Sequence, residues 1–378
     1  MNDIQTRSIE AHKKTRGKIS IAGTMDIKNK DDLSIAYTPG VAGPCLFIKD
    51  NPSSARDMVA VKNMVAVVTD GSAVLGLGNI GALASLPVME GKALIFKQFA
   101  NINAFPIALA TQDTEEIIKT VKNIAPTFGG INLEDISAPR CFEIEKRLRE
   151  ELNIPVMHDD QHGTAIVVLA GLINALRLRD SNAKEMRVVV NGAGAAGIAI
   201  TKLLLAYGYE YITLCDTKGA IYKDRADLND EKIKMTEVTN VEHRAGLLGE
   251  IIAGADIFIG VSKADVLTKE MVSSMAPRPI IFAMANPNPE ILPDNAKKAG
   301  AFIVATGRSD FPNQVNNALV FPGLFKGALD NGLKRFDHSL FIKAAEALAS
   351  VIKNPDTEHI LPSPFDEGVV AAVAEAMK

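Results

Sequence analysis

The run RVVVN at 187–191, followed directly by GAGAAG and the apolar segment IAITKLLLAYG, constrains this chain more than any other feature. A β-branched run, a Gly-x-Gly-x-x-Gly turn and a helical pattern in that order make a strand–turn–helix unit. Gly192 permits the tight turn, Gly194 lets the backbone come close to a pyrophosphate, and Gly197 lets the helix pack on the strand. Ala193 completes the turn. Ala195 and Ala196 open the helix, whose free N–H groups face the phosphates. Asp216 lies 19 residues past Gly197, at the end of YITLCD. A carboxylate there accepts hydrogen bonds from adenosine ribose hydroxyls and repels the extra phosphate of NADP, whereas Lys218 beside it would serve that phosphate. The unit predicts a dinucleotide site that takes NAD, with NADP as the alternative.

The rest of the chain repeats this alternation of short β-branched runs with longer helical patterns, the mark of an α/β fold with parallel sheet. At about 100–200 residues per domain, 378 residues make two domains. Strands are expected at 187–191, 211–216, 255–260, 279–286 and 301–307, so residues 163–378 form the Rossmann-like domain together with C-terminal helices. A smaller α/β domain takes residues 1–162, with strands expected at 64–70, 93–96, 106–110, 129–135 and 154–160. The tail HSLFIKAAEALASVIK is an amphipathic helix whose partner the sequence leaves open.

Composition excludes several classes. The 41 Lys and Arg against 45 Asp and Glu leave no basic field to recruit nucleic acid. Three scattered cysteines make neither a zinc ribbon nor a disulfide framework and suit a reducing cytoplasm. The N-terminal segment carries charges throughout and reads as no signal peptide. The most apolar stretch, Thr164 to Leu176, is thirteen residues long, short of the about 20 that span a membrane. It is expected to be a buried core helix, and no membrane partner is expected.

A second Gly-x-Gly-x-x-Gly, at Gly76, Gly78 and Gly81, has no acid about 20 positions onward, and Pro87 is expected to interrupt any helix there. It reads as a tight backbone wall around a small substrate, or as glycines serving turns alone. Two acid pairs stand at the carboxyl ends of expected strands, where open α/β sheets form their ligand crevice: Glu134–Asp135 and Asp159–Asp160. Carboxylates without thiolates make a hard site that suits Mg²⁺ or Mn²⁺, and strand-end acids also cap helices or face solvent. Lys92 reads as a surface charge unless desolvated near a metal, where it becomes a base. Tyr37 taken alone is a packed ring. His158 and His162 flank the acids, and metal ligation by them is not expected.

The segments DDLSIAYTPGVAGPC, VTDGSAVLGLGNIG, PVMEGK, GINLEDISAPRCFEIE, HDDQHGTA, VVNGAGAAG, FAMANPNPEI and NNALVFPG span nearly the whole chain. In that order they resemble the malic enzymes of the short bacterial kind. The resemblance implies oxidative decarboxylation of L-malate to pyruvate and CO₂, extending to decarboxylation of oxaloacetate, with reduction of NAD(P) and a divalent metal. By motif, Glu134, Asp135 and Asp160 would be the metal ligands, Lys92 the general base and Tyr37 the general acid. Asp159 would assist proton handling. Asn286 and Asn317, or its neighbour Asn316, would hold the substrate and the nicotinamide end. Larger family members carry an arginine where this chain has Ala73, so Arg140 is the substitute considered for a substrate carboxylate. The resemblance further implies a homodimer with residues of both chains near each site.

Three rivals remain at this level. A malolactic-type enzyme shares the motifs but releases lactate. An amino-acid or folate dehydrogenase shares the glycine turn but needs no acid cluster. A non-catalytic NAD-binding regulator has no use for Lys92, Tyr37 and the acids together.

Overall fold

The β-branched runs pair into two separate sheets. The computed structural model describes residues 3–74 and 76–378; Leu75 of the VTDGSAVLGLGNIG motif and the first two residues of the N-terminal segment lie outside the described residues. The first sheet holds β1 (Met64–Thr69), β2 (Asn103–Ala108), β3 (Gly130–Leu133) and β4 (Val156–His158), all parallel in the order β2-β1-β3-β4. The second holds β5 (Arg187–Asn191), β6 (Tyr211–Asp216), β7 (Gly219–Ala220), β8 (Ile257–Gly260), β9 (Ile280–Ala283) and β10 (Ile303–Thr306). Its order is β10-β9-β8-β5-β6-β7, parallel except for the short β7, which turns back against β6. Parallel strands are covered on both faces, which is why β3, β4, β8, β9 and β10 are buried at every position with no buried–exposed alternation.

Eight helices carry or support the functional side chains: α1 (Lys30–Ala36), α2 (Gly81–Ala100), α3 (Arg140–Glu151), α4 (Asp159–Arg179), α5 (Ala195–Tyr207), α6 (Asp230–Thr236), α7 (Phe321–Asn331) and α8 (His338–Val351). Helix α4 contains the most apolar stretch of the chain. Ile166, Leu169 and Leu172 on it are fully buried in one cluster with Val65 and Val67 of β1 and Val188 and Val190 of β5. Each such side chain contributes roughly 1.5–3 kcal/mol by leaving water. Among the described residues α4 is the one helix long and apolar enough to cross a membrane, and it is spent inside the protein, with 78% of its apolar window buried. The helix runs through residues 162 and 163, so both sheets share it. Helix α8 docks on α4 and buries Phe341, Ala344, Ala345 and Leu348.

Three expectations fail. ALIF at 93–96 is not a strand but lies in α2, where Met89, Lys92, Ala93, Phe96 and Ala100 are buried at helical spacing. A four-residue apolar run cannot distinguish a buried strand from one turn of a buried helix. Pro87 does not end that helix. It removes the donor to the Leu83 carbonyl, but Leu83 is 81% exposed, so solvent can replace that bond. IPVMHDD leaves the strand at His158, and Asp159 and Asp160 form the first turn of α4. There the free N–H groups of the helix start favour carboxylates.

Candidate active site

The two acid pairs meet at the carboxyl ends of β3 and β4. Asp135 takes a left-handed backbone (φ 54°), which turns the chain so that its amide donates to Asp160 Oδ2 at 2.8 Å. One ligand oxygen from each of Glu134, Asp135 and Asp160 lies within 4.8 Å of the others. Glu134 and Asp135 are buried, and Asp160 is partly open. Burial, and then the neighbouring carboxylates of Asp160, Asp159 and Asp135, push Glu134 well above the usual carboxylate range despite Lys92. Hard oxygen donors crowded to that degree fit a divalent cation such as Mg²⁺ or Mn²⁺.

Lys92 reaches the same point from the middle of α2. Its Nζ hydrogen-bonds Asp159 Oδ2, stands 3.1 Å from Glu134 Oε1, and lies over the Phe321 ring at 4.2 Å from the centroid. Desolvation lowers its pKa, but the Asp159 and Glu134 carboxylates outweigh that and hold it above the ordinary lysine value. Asp159 is itself pushed up by burial, against the pull of Lys92. Lys92 is thus held as an ammonium against Asp159.

Asn317 closes the cluster from the second half of the chain, its Nδ2 donating to Asp159 Oδ2 at 2.5 Å. Asn316 does different work, capping the following 3₁₀ turn through the Ala318 amide. Gly163 makes this packing possible, since a Cβ there would stand 2.1 Å from Asp159 Oδ1 and 3.0 Å from Asn317 Cβ. Asn286 follows β9 through a cis bond to Pro287, and its side chain borders Gly307 beyond β10. Its carbonyl abuts the second glycine turn: a Cβ on Gly76 would stand 2.4 Å from Asn286 O. That loop therefore forms a wall against the nucleotide half.

Tyr37 is not brought into the cluster. It caps the end of α1, 67% exposed, and makes no hydrogen bond to Lys92. Arg140 is engaged close by, paired with Asp70 Oδ2 at 3.0 Å and donating to Ser72 and Ser137.

The dinucleotide turn is built as its glycines require. Gly192 has φ 126°, and a Cβ on Gly197 would collide with Gly192 O at 1.7 Å. Gly194 caps α5 with open space over its Cα, and Ala195 and Ala196 form the first turn. A cavity of about 550 Å³ opens here, lined by Gly192, Ala193, Gly194, Asp216 and Lys232 among others. Asp216 Oδ2 accepts from Arg225 at 2.5 Å and Lys232 at 2.6 Å. Burial would raise its pKa, but these two partners and the Lys218 amide bring it down to about 2.

Sequence reading missed Arg225 and Lys232, because nothing in their spacing shows that a loop folds back on Asp216. Lys218, which it did single out, turns its ammonium to Asp227 at 2.8 Å. It also missed Glu290, fully buried, whose two oxygens accept from the Ser262 and Ala285 amides and fix the loops after β8 and β9. The NPNPE run was the available signal.

Comparison with known proteins agrees along the whole chain. Residues 16–149 match the family model of the malic enzyme N-terminal domain, and residues 161–375 that of the malic enzyme NAD binding domain. The bifunctional malic/malolactic enzyme of Bacillus subtilis is 55% identical over 377 residues, covering 99% of this chain and 92% of that one. The NAD-dependent malic enzyme of Geobacillus stearothermophilus is 53% identical over 363 residues, covering 96% and 76%. The crystal structure of the NAD-dependent malic enzyme from Thermotoga maritima superposes with a TM-score of 0.95 at 48% identity, covering 98% of each chain.

Proposed function

The chain belongs to the malic enzyme family, and from that premise we infer its reaction: oxidative decarboxylation of L-malate to pyruvate and CO₂ with reduction of a nicotinamide dinucleotide. The observation that carries the chemistry is the placing of Lys92 against Asp159 and Glu134 beside the three-carboxylate cluster. NAD is the cofactor we propose as preferred, because Asp216, at the end of β6, lines the cavity where it would meet the adenosine ribose.

Glu134, Asp135 and Asp160 would hold Mg²⁺ or Mn²⁺. Bound there, the ion supplies Lewis acidity toward the malate hydroxyl and the developing enolate charge, and a positive field that drives Lys92 toward its neutral amine. Lys92 takes the proton of the C2 hydroxyl as hydride leaves C2 for the nicotinamide. Asp159 holds the resulting ammonium, and Asn317 holds Asp159. The C3–C4 bond then breaks, CO₂ departs, and its electron pair becomes the enolate of pyruvate. Tyr37 delivers the proton to C3. Asn286 would hold the substrate and the nicotinamide end. The same steps after oxidation extend to oxaloacetate.

Tyr37 is exposed, and so are the apolar Leu33, Ile35, Leu46 and Phe47 of the same stretch of chain, which together offer a surface for association. A homodimer through this surface, with Tyr37 of one copy serving Lys92 of the other, supplies the missing acid. The proposed location is the cytoplasm, consistent with three free cysteines. A second reading, release of lactate, is favoured by the name of the Bacillus subtilis relative.

Absorbance at 340 nm with L-malate and Mn²⁺, run with NAD or NADP and with EDTA, tests the proposal. Reduction that EDTA abolishes, with pyruvate as product, is expected. Lactate without net reduction would select the second reading, and neither product would overturn both.

A further inference from the structure

We infer that the groove between α3 on one side and α5 and α6 on the other is a second ligand site, for a small polyanion bearing phosphate or several carboxylates. The groove encloses about 450 Å³ and shares no lining residue with the dinucleotide cavity, a volume suited to a small metabolite. Its walls come from both halves of the protein. Lys146 and Arg149 project from α3, Lys202 from α5, Lys234 from α6, and Arg335 from the segment just before α8.

Five cationic side chains here face three carboxylates, Glu145, Glu150 and Glu231. Two of those carboxylates are already engaged. Glu145 accepts from the His158 amide at 3.0 Å and pairs with His162 at 2.9 Å. Glu231 is shared between Lys202 at 3.3 Å and Lys234 at 2.5 Å. Lys146, Arg149 and Arg335 form no ion pair among the described residues. The two guanidiniums reach only backbone carbonyls, Arg149 that of Phe336 and Arg335 that of Glu150.

A second observation points the same way. Gln161, 4% exposed, lines the groove, and its Nε2 has no hydrogen-bond partner. A buried amide donor left without an acceptor is costly, and an anion in the groove would supply one. The field has the matching sign: burial, and then His162, Arg149 and Lys202, hold the His338 imidazole below its usual pKa. A wall rich in N–H donors and excess positive charge selects a ligand made of acceptors. Guanidinium forks fit carboxylate and phosphate bidentately, and the lysines add point charges. Such a ligand would tie the two halves together behind the first turn of α4, where Glu145 holds the amide preceding Asp159.

Anion binding in this groove is independent of the malate reaction, and so is its test. Isothermal titration calorimetry on the intact protein, in EDTA with saturating dinucleotide, would use inorganic phosphate and citrate as probes. One saturable site per chain is expected for at least one anion, and Lys146→Gln/Arg335→Gln, both exposed, should weaken it tenfold or more. Arg149→Gln provides an independent second variant, and Lys92→Met should leave the isotherm unchanged. Binding of phosphate alone would assign a phosphorylated ligand, and of citrate alone a polycarboxylate. No saturable site with either anion, or affinity unchanged within threefold in both groove variants, would overturn the inference.

Discussion

Asn317 Nδ2 donates to Asp159 Oδ2 at 2.5 Å, and the same oxygen accepts from Lys92 Nζ, so a loop beyond β10 fixes the partner of a lysine carried by α2. The other Asp159 oxygen is buried with no hydrogen-bond partner. Asp159 thus has one oxygen committed to holding Lys92 and no solvent to replace it.

Lys92→Ala should lower kcat for malate oxidation by roughly 10²–10⁴-fold, the range for losing a general base, while dinucleotide affinity stays close to wild-type. Steady-state kinetics with a separate dinucleotide titration checks both. A kcat within a few-fold of wild-type would remove Lys92 from proton transfer.

The glycine turn separates folding from binding. A Cβ on Gly197 meets Gly192 O at 1.7 Å, so Gly197→Ala must break the strand–helix contact. We expect a loss of about 3 kcal/mol or more, at the upper end of the range for overpacked cores. Gly194→Ala meets nothing within 4 Å. It should melt within about 0.5 kcal/mol of wild-type yet bind dinucleotide far more weakly. Equal effects of the two substitutions would contradict a close approach of ligand at Gly194.

Much of this was legible because chemistry and periodicity agreed. RVVVN and YITLCD are strands with the bounds their β-branched runs suggest, and the acids stand where the first sheet ends. What was hidden depends on contacts far along the chain. Lys92 reads as surface charge by composition, and only the fold puts it against Asp159, 67 residues away, and over Phe321. ALIF misled because its apolar residues fit either period until α2 is seen whole. The choice between Asn316 and Asn317 is a matter of one backbone turn, which no spacing rule resolves.

Asp216 is engaged by Arg225 and Lys232, and Lys232 lines the cavity beside it. Asp216→Ala would free Lys232 for a ribose phosphate, while Arg225 stays paired with Asp227. One or two charge-assisted hydrogen bonds at about 1.5–3 kcal/mol each should raise the NADP-to-NAD ratio of kcat/KM by at least about tenfold. An unchanged ratio would discard Asp216 as the selector.

Glu145 links the anion groove to the start of α4, and its titration is readable in stability. Burial would raise its pKa, but His162, His158 and Arg149 pull it from 4.5 down to about 2. The folded state therefore gains from its charge above pH 4.5, and that gain disappears as pH falls toward 2. It amounts to about 3 kcal/mol where the neighbouring histidines are charged. Glu145→Gln should be less stable at pH 7 and lose stability less steeply between pH 5 and 2 in urea unfolding. Parallel profiles for the two proteins would rule out this linkage.

Tyr37 lies 67% exposed and apart from Lys92, which makes its role a question about two chains. Co-expressing Tyr37→Phe and Lys92→Ala chains distinguishes the arrangements. If each site takes Tyr37 from one copy and Lys92 from the other, a mixed dimer has one site with both groups and one with neither. Random pairing then restores about a quarter of wild-type sites in a two-fold dimer. If both groups act within one chain, every site in the mixture carries a defect and nothing is restored. Recovery near a quarter, from two chains that are each inactive alone, is the expected result. Absence of recovery, with mixed dimers shown to form, would place Tyr37 in its own chain's site or remove it from the reaction.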